Sequence, residues 1–271
     1  MARTSKYCIF CGDHPTTREH IWADWFSKYI PKTLPKHDSS LSIINPDRTV
    51  ERAVRVWGGD PQSRRLQIVC GECNNGWMSL LQTAAKPTLI PLITGKKITL
   101  NLFRQRTLAS WAAMTVICAE YLQPNRAAIS VTDRRWLYKT KTAPNDFRIW
   151  IGDFERKKWR PHWGHTSLRI TEHEGAQGWT VHPDGTPRCN TQTTTFTVGR
   201  LFLHVYSCPF PEILHAAKIT QPLDMRLSQI WPPRHSFLLW PPTDTLADRE
   251  ADRLAGAIFD RLDEAGRTFG S

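Results

Sequence analysis

Four of the seven cysteines in this 271-residue chain form two pairs with the spacing that metal ligands require. The first pair lies in Y-C-I-F-C-G and the second in V-C-G-E-C-N-N-G-W, which places the sulfurs at Cys8, Cys11, Cys70 and Cys73. Two such pairs complete the tetrahedral set that zinc prefers, and their matching spacing argues against four unrelated cysteines. Because four protein ligands leave no position for a substrate, we interpret the site as structural zinc.

A Glu-His dipeptide lies between the two pairs, in the segment T-R-E-H-I-W. His20 can accept a proton near neutral pH, and the adjacent carboxylate of Glu19 can orient a reactant or hold a divalent ion. Such a dipeptide alone is weak evidence of function, since most are surface residues. Its position eight residues after Cys11, between two anchored segments, favours a catalytic role.

Asn74 follows the last cysteine directly, at the start of a predicted helix. Its amide oxygen can bind a hard cation, and the free amides of a helix start favour a phosphate. Asparagine is also a good helix cap, so Asn74 can have a purely structural role; the two interpretations are compatible.

At these residues the chain resembles the HNH endonuclease family. The resemblance covers about residues 6–80 and consists of C-I-F-C-G, T-R-E-H-I and I-V-C-G-E-C-N-N-G-W-M. It implies a zinc-stabilised ββα-metal unit that hydrolyses DNA, with His20 as the general base. It further implies that Glu19 and Asn74 bind or orient one catalytic Mg²⁺ or Mn²⁺ ion, while the four cysteines hold structural zinc.

Two positions depart from the family pattern. The family has an asparagine shortly before the second cysteine pair, where this chain has Arg65 in R-R-L-Q-I-V-C. Arg65 can contact phosphate instead, and Gln67 can make the hydrogen bond that fixes the loop of the base. Trp77 stands where the family often has lysine or histidine.

The formal charge of +11 is concentrated in the middle of the chain. Residues 81–171 contain 16 Lys and Arg against 5 Asp and Glu, whereas residues 172–271 contain 9 against 12. A basic middle segment is typical of a surface that faces phosphates, although a merely solvated surface explains the charge equally well. The predicted nucleic-acid contacts are Arg65, Arg134, Arg135, Lys157 and Lys158.

The hydrophobic pattern predicts an α+β fold in two parts. Residues 1–85 form the zinc-binding unit, and residues 86–271 form a mixed region without a motif that indicates chemistry. We predict helices at 21–29, 74–85, 107–122, 133–140 and 246–264, and strands at 147–153, 166–171, 193–206 and 226–231. Residues 36–63, which are rich in Asp, Ser, Pro and Gly, are expected to form an irregular insertion.

No apolar run approaches the roughly 20 residues of a membrane span, and the polar start lacks a signal-peptide core. We therefore expect a cytoplasmic protein that binds no membrane, where paired cysteines favour metal over disulfides. The expected partner is DNA, with RNA left open, as is the oligomeric state. A catalytically inactive zinc-dependent protein that binds nucleic acid is the main alternative, and a protein-interaction module is a third.

Overall fold

The computed structural model describes residues 6–29, 36–44, 50–58, 65–155, 163–172, 179–182, 188–216 and 226–256. Its N-terminal part is an antiparallel ribbon of β1 (Thr17–His20) and β4 (Arg65–Val69). The segment expected to be irregular instead contains a hairpin of two nine-residue strands, β2 (Lys36–Ile44) and β3 (Val50–Gly58). A short 3-10 helix at Asp24–Lys28 replaces the helix predicted over 21–29.

The helix after β4 is longer than predicted. It starts as α1 (Gly71–Cys73), passes through a wide turn at Asn74–Met78 and continues as α2 (Ser79–Thr94), with a kink at Gly76. The prediction that it stops before Pro87 is wrong, because α2 contains both Pro87 and Pro91. The helix has a buried stripe at helical spacing, which compensates for the missing proline N–H groups. The stripe comprises Leu81, Ala85, Leu89 and Leu92.

The predicted buried helix is confirmed as α3 (Leu102–Ala119). It starts five residues earlier than the apolar pattern indicated, because the side chain of Asn101 accepts a hydrogen bond from the N–H of Arg104 and caps the helix. The basic helix is α4 (Val131–Thr140), and its cap is Ser130, whose hydroxyl accepts from the N–H of Asp133. Two 3-10 turns, Glu120–Leu122 and Pro124–Arg126, connect α3 to α4.

A largely antiparallel sheet forms the second part of the chain. Its strand order is β11-β6-β10-β9-β7-β8, and β13 pairs with β6 in parallel. The run predicted as one strand over 193–206 is a tight hairpin of β9 and β10, because Gly199 turns the chain with φ of +57°. The strands are β6 (Phe147–Phe154), β7 (Trp163–Glu172), β8 (Trp179–His182), β9 (Thr191–Val198), β10 (Leu201–Ser207), β11 (Ser228–Trp231) and β13 (Thr245–Leu246).

The remaining elements lie around α3 and the sheet. A separate two-stranded ribbon pairs β5 (Ile98–Asn101) with β12 (Phe237–Trp240). Two helices, α5 (Pro211–Ala216) and α6 (Asp248–Gly256), complete the described chain; the rest of the helix predicted over 246–264 lies outside it. The α+β prediction is confirmed. Among the described helices, none has both the length and the apolar character needed to cross a membrane.

Aromatic side chains join the N-terminal ribbon to α3 and the sheet. The ring of Phe26 lies 6.0 Å from that of Trp111 on α3, and the ring of Trp22 lies 5.3 Å from that of Phe196 on β9. One continuous apolar cluster therefore extends from the cysteine pairs to the sheet. The proposed boundary at residue 85 falls inside α2 and stays a prediction.

A buried carboxyl group positions α4. Glu120 is fully buried at the end of α3 and accepts hydrogen bonds from the N–H groups of Ala128 (2.9 Å) and Ile129 (3.2 Å). Burial raises the pKa of this carboxyl group from 4.5 to about 8, although the two N–H groups oppose the shift. Between these values the folded chain holds a proton that the unfolded chain releases, so the free energy of unfolding falls as pH rises toward 8.

We expect Glu120→Gln to remove this loss of stability, since the amide oxygen can accept the same two hydrogen bonds without ionising. Relative to the parent, the variant should gain a few kcal/mol between pH 5 and pH 8, at about 1.4 kcal/mol for each tenfold change in proton affinity. Urea unfolding at both pH values measures the difference, with the exposed Glu212→Gln as the control. Equal pH dependence of the parent and Glu120→Gln would contradict this account.

Candidate functional site

The four paired cysteines converge on one point. Their sulfur atoms all lie within 4.8 Å of one another, and Cys11 Sγ lies 3.7 Å from Cys70 Sγ. A disulfide needs about 2.05 Å, so these sulfurs are not bonded. Four sulfurs at about 2.3 Å from a tetrahedral ion lie about 3.8 Å apart, which agrees with the observed distance. The cluster can therefore bind a metal such as zinc.

Local backbone geometry turns each pair toward the same point. In the first loop the N–H of Gly12 donates to the carbonyl of Cys8 at 2.9 Å, and Gly12 has φ of +84°, a conformation that favours glycine. In the second, the N–H of Cys73 donates to Cys70 Sγ at 3.4 Å. The N–H of Ile9 donates to the carbonyl of Ile68 at 2.9 Å, which ties the first loop to β4.

The protonation of the thiols depends on their position in the cluster. Burial raises the pKa of Cys70 and of Cys73. Burial also acts on Cys11, but the backbone N–H groups of Asp13 and His14 outweigh it and lower the pKa of this thiol to about 7. Buried thiolates without a cation are unfavourable, so a bound metal ion would relieve a real energetic cost here.

His20 lies at the other end of the β1–β4 ribbon, opposite Arg65 in the strand register. Arg65 donates a hydrogen bond from Nε to His20 Nε2 at 2.9 Å, and Asp24 Oδ1 lies 3.2 Å from His20 Nδ1. Because Nε2 accepts, the neutral imidazole carries its proton on Nδ1, where the carboxylate of Asp24 stabilises it. His20 therefore presents a lone pair on Nε2.

Asp24 was missed at the sequence level. The only local signal was its position four residues after His20, and that spacing brings side chains together only where the chain turns helically. The short helix at Asp24–Lys28 provides this turn. Phe26, packed against Trp111, anchors the segment and thereby fixes Asp24 beside the imidazole.

The other predicted ion-binding residues lie on elements adjacent to the cluster. Glu19 is on β1, opposite Leu66, and Asn74 begins the turn after the last cysteine, where its N–H donates to the carbonyl of Cys70 at 3.0 Å. Gln67 donates from Nε2 to the carbonyl of Thr16 at 3.2 Å. This hydrogen bond holds the residue that precedes β1, the strand carrying His20.

The predicted nucleic-acid contacts have different environments. Arg65 contacts His20, as described above, while Arg135 is exposed and its guanidinium lies against Gly12 of the first cysteine loop. Arg134 is largely buried, with its guanidinium 5.6 Å from the centre of the Tyr121 ring, and burial lowers its pKa. Lys157 and Lys158 lie outside the described residues. Binding of nucleic acid by these side chains stays a prediction.

A pocket of about 320 Å³ lies beside the cysteine cluster. Cys11 and Cys73 form its floor, and residues from both parts of the chain form its walls. These are Asp13, His14, Glu72, Trp77, Tyr138 and Lys141. Lys141 Nζ lies 5.0 Å from the centre of the Trp77 ring and 4.5 Å from that of Tyr138. Lys141 had no sequence signal, since only the docking of α4 brings it to the cluster.

Trp77, which departs from the family pattern, lies next to a cluster sulfur. Its buried indole N–H makes no regular hydrogen bond, but it lowers the pKa of the Cys73 thiol, against the larger effect of burial. Its ring packs edge-on against Phe10, with 5.0 Å between the ring centres. Trp77 therefore contributes both packing and a polar contact to the cluster.

Comparison with known proteins adds no relative to this picture. No protein-family model matches the chain, and searches of curated proteins and of solved structures give no match. The functional interpretation depends on the residues and the geometry described above.

Proposed function

We propose that this protein is a metal-dependent endonuclease of the HNH type, which hydrolyses phosphodiester bonds in DNA. The observation that carries the proposal is the β1–β4 ribbon. One end of it adjoins the four-cysteine cluster, and the other holds His20 between a carboxylate and a guanidinium. Zinc is the metal that best fits four thiolates at this spacing. The chain order of cysteine pair, Glu-His, cysteine pair and asparagine supports the same function.

His20 is the proposed general base. Its Nε2 lone pair can take a proton from a water molecule, and Asp24 then stabilises the imidazolium through Nδ1–H. Arg65 now donates to that lone pair, but its side chain is exposed and can transfer to a phosphate oxygen when substrate binds. The transfer would free Nε2 for water at the moment when the phosphate arrives.

Glu19 and Asn74 are the proposed ligands of the catalytic ion. A carboxylate and an amide oxygen are donors that Mg²⁺ and Mn²⁺ accept, and both residues lie on elements that the cluster holds. When bound, the ion would supply charge stabilisation at the phosphate and at the leaving oxygen. The chain itself provides the base, its orienting carboxylate and the guanidinium.

A plasmid-nicking assay on the zinc-loaded chain tests the proposal. Conversion of supercoiled to open-circular DNA is expected with Mg²⁺ or Mn²⁺, and little conversion is expected without added divalent ion. The absence of cleavage with every divalent ion tried would overturn the enzyme proposal.

A catalytically inactive zinc protein that binds nucleic acid is the second candidate. The specific observation in its favour is the hydrogen bond from Arg65 to His20 Nε2, because it occupies the atom that a base must use. This candidate requires salt-dependent binding of DNA together with an absence of nicking. The nicking assay therefore separates the two proposals directly.

Lys141 is expected to support zinc binding through its charge. Four thiolates around Zn²⁺ carry a net charge of about −2, and Lys141 lies close enough to Cys73 that the thiol opposes the effect of burial on its pKa. We expect Lys141→Met to weaken zinc affinity by about 10-fold, the lower end of the effect of residues that contact ligands. Competition with a chromophoric chelator measures this affinity.

The matched control is Lys139→Met, which removes the same charge from an exposed position on α4. It should leave zinc affinity within about 2-fold of the parent. The interpretation of Lys141 fails if both variants lose affinity equally, because a general effect of net charge would then suffice.

A further inference from the structure

The ribbon of β5 and β12 has an unusual outer face. Side chains alternate along its strands, so that one set faces the core and the other faces solvent. Leu100 and Trp240 are buried on the inner face, while Phe237 and Leu239 lie on the outer face, opposite Asn101 and Thr99. The outer face of a small two-stranded ribbon is therefore apolar at both positions of β12.

Four large apolar side chains at this ribbon are exposed. The exposed fraction is 72% for Phe103, 59% for Phe237, 69% for Leu239 and 41% for Leu102. Leu102 and Phe103 follow Asn101 directly, so they adjoin the face that carries Phe237. We call these four residues the outer ribbon patch. Contiguous exposed apolar groups of this kind mark interaction sites in soluble proteins.

The charges around the patch are all positive. The two segments that form it, residues 95–106 and 232–241, contain five cations and no Asp or Glu. The guanidinium of Arg104 donates to the carbonyl of Thr99 at 2.8 Å, which holds one cation at the ribbon. The five cations are Lys96, Lys97, Arg104, Arg106 and Arg234. An apolar face with such a rim fits a polyanion that also offers flat apolar surface.

We propose that the outer ribbon patch binds single-stranded nucleic acid, with bases stacked on Phe103 and Phe237 and phosphates on the cationic rim. Unpaired bases expose π faces that stack on aromatic side chains, while a duplex hides them. The inference deepens the proposed function and rests on it for the class of ligand. The patch follows α2, whose 16 residues span about 24 Å, so it lies far along the fold from the cysteine cluster.

The experiment measures binding of a fluorescein-labelled 20-nucleotide oligo-dT by anisotropy. The zinc-loaded chain carries His20→Ala, so that the probe is not cut and binding is measured independently of cleavage. Adding Phe103→Ala and Phe237→Ala together is expected to raise Kd at least 10-fold, and more for the single strand than for a duplex of equal length. Both side chains are exposed, so the changes should leave folding intact.

Leu80→Ala is the matched control, since Leu80 is 71% exposed on α2 but lies outside the patch. It should leave Kd within about 2-fold. Lys96→Gln with Lys97→Gln should reduce the slope of log Kd against log salt by about 2.

Three results would overturn the inference. They are unchanged oligo-dT affinity in the double phenylalanine variant, an equal loss in Leu80→Ala, and phenylalanine-dependent sedimentation with phosphatidylserine vesicles without an effect on oligo-dT. The last result would assign the patch to a membrane surface. If the nicking assay fails while oligo-dT binding depends on the two phenylalanines, the nuclease proposal falls and the patch stands.

Discussion

Replacing Cys73 with serine is expected to abolish stoichiometric zinc binding and to destabilise the whole described fold. The sulfur of Cys73 is one of four within 4.8 Å, so its loss leaves three ligands and an open position. Structural zinc contributes an apparent binding free energy of about 10–16 kcal/mol in small peptides, and much of this is folding free energy. Loss of several kcal/mol is comparable with the total stability of an ordinary domain.

The destabilisation should spread beyond the cysteine loops. Phe10 packs against Trp77, and both belong to the apolar cluster that continues through Trp111 to Phe196 on the sheet. Metal content by mass spectrometry should fall from about one zinc per chain to well below it. Thermal unfolding should start at a clearly lower temperature, and chelation of the parent should have the same effect.

Cys118→Ala is the control for this prediction. Cys118 is a buried cysteine of α3 that is not a member of the metal cluster, so its replacement removes a small apolar group without touching zinc. It should retain about one zinc per chain. The metal assignment is wrong if Cys73→Ser retains full zinc, or if Cys118→Ala loses it.

Replacing His20 with alanine is expected to reduce plasmid nicking by about 10²–10⁴-fold, the range that a general base contributes. The physical reason is the loss of the Nε2 lone pair, which no neighbouring side chain replaces, since Arg65 is a donor and Asp24 faces Nδ1. Zinc content and affinity for oligo-dT should not change, because the cluster and the outer ribbon patch are separate from this imidazole. Single-turnover nicking at fixed Mn²⁺ gives the rate.

His215→Ala serves as the comparison, because His215 is an exposed histidine on α5 and no function is proposed for it. It should nick at the parental rate. If His20→Ala cleaves as fast as the parent, another group is the base, and the assignment of His20 is wrong even if the protein is a nuclease.

The cysteine cluster could be predicted because its information is local. Each pair needs only two intervening residues to aim both sulfurs at one ion, and four thiolates have few other uses in such spacing. The same holds for α3, whose continuous apolar sequence requires burial on every side. Its first turn was missed, since the start depended on one hydrogen bond from Asn101. Element types were therefore more predictable than element ends.

The surroundings of His20 and Lys141 required the tertiary structure. Arg65 reaches Nε2 through strand register, across 45 residues of sequence, and no local pattern specifies register. Lys141 and the outer ribbon patch likewise combine segments that only long-range packing brings together. The sequence by itself determined the metal ligands and the candidate base, because local spacing encodes them. Only the tertiary structure decided which charges and aromatic rings surround those groups, because cross-strand pairing and helix docking place them.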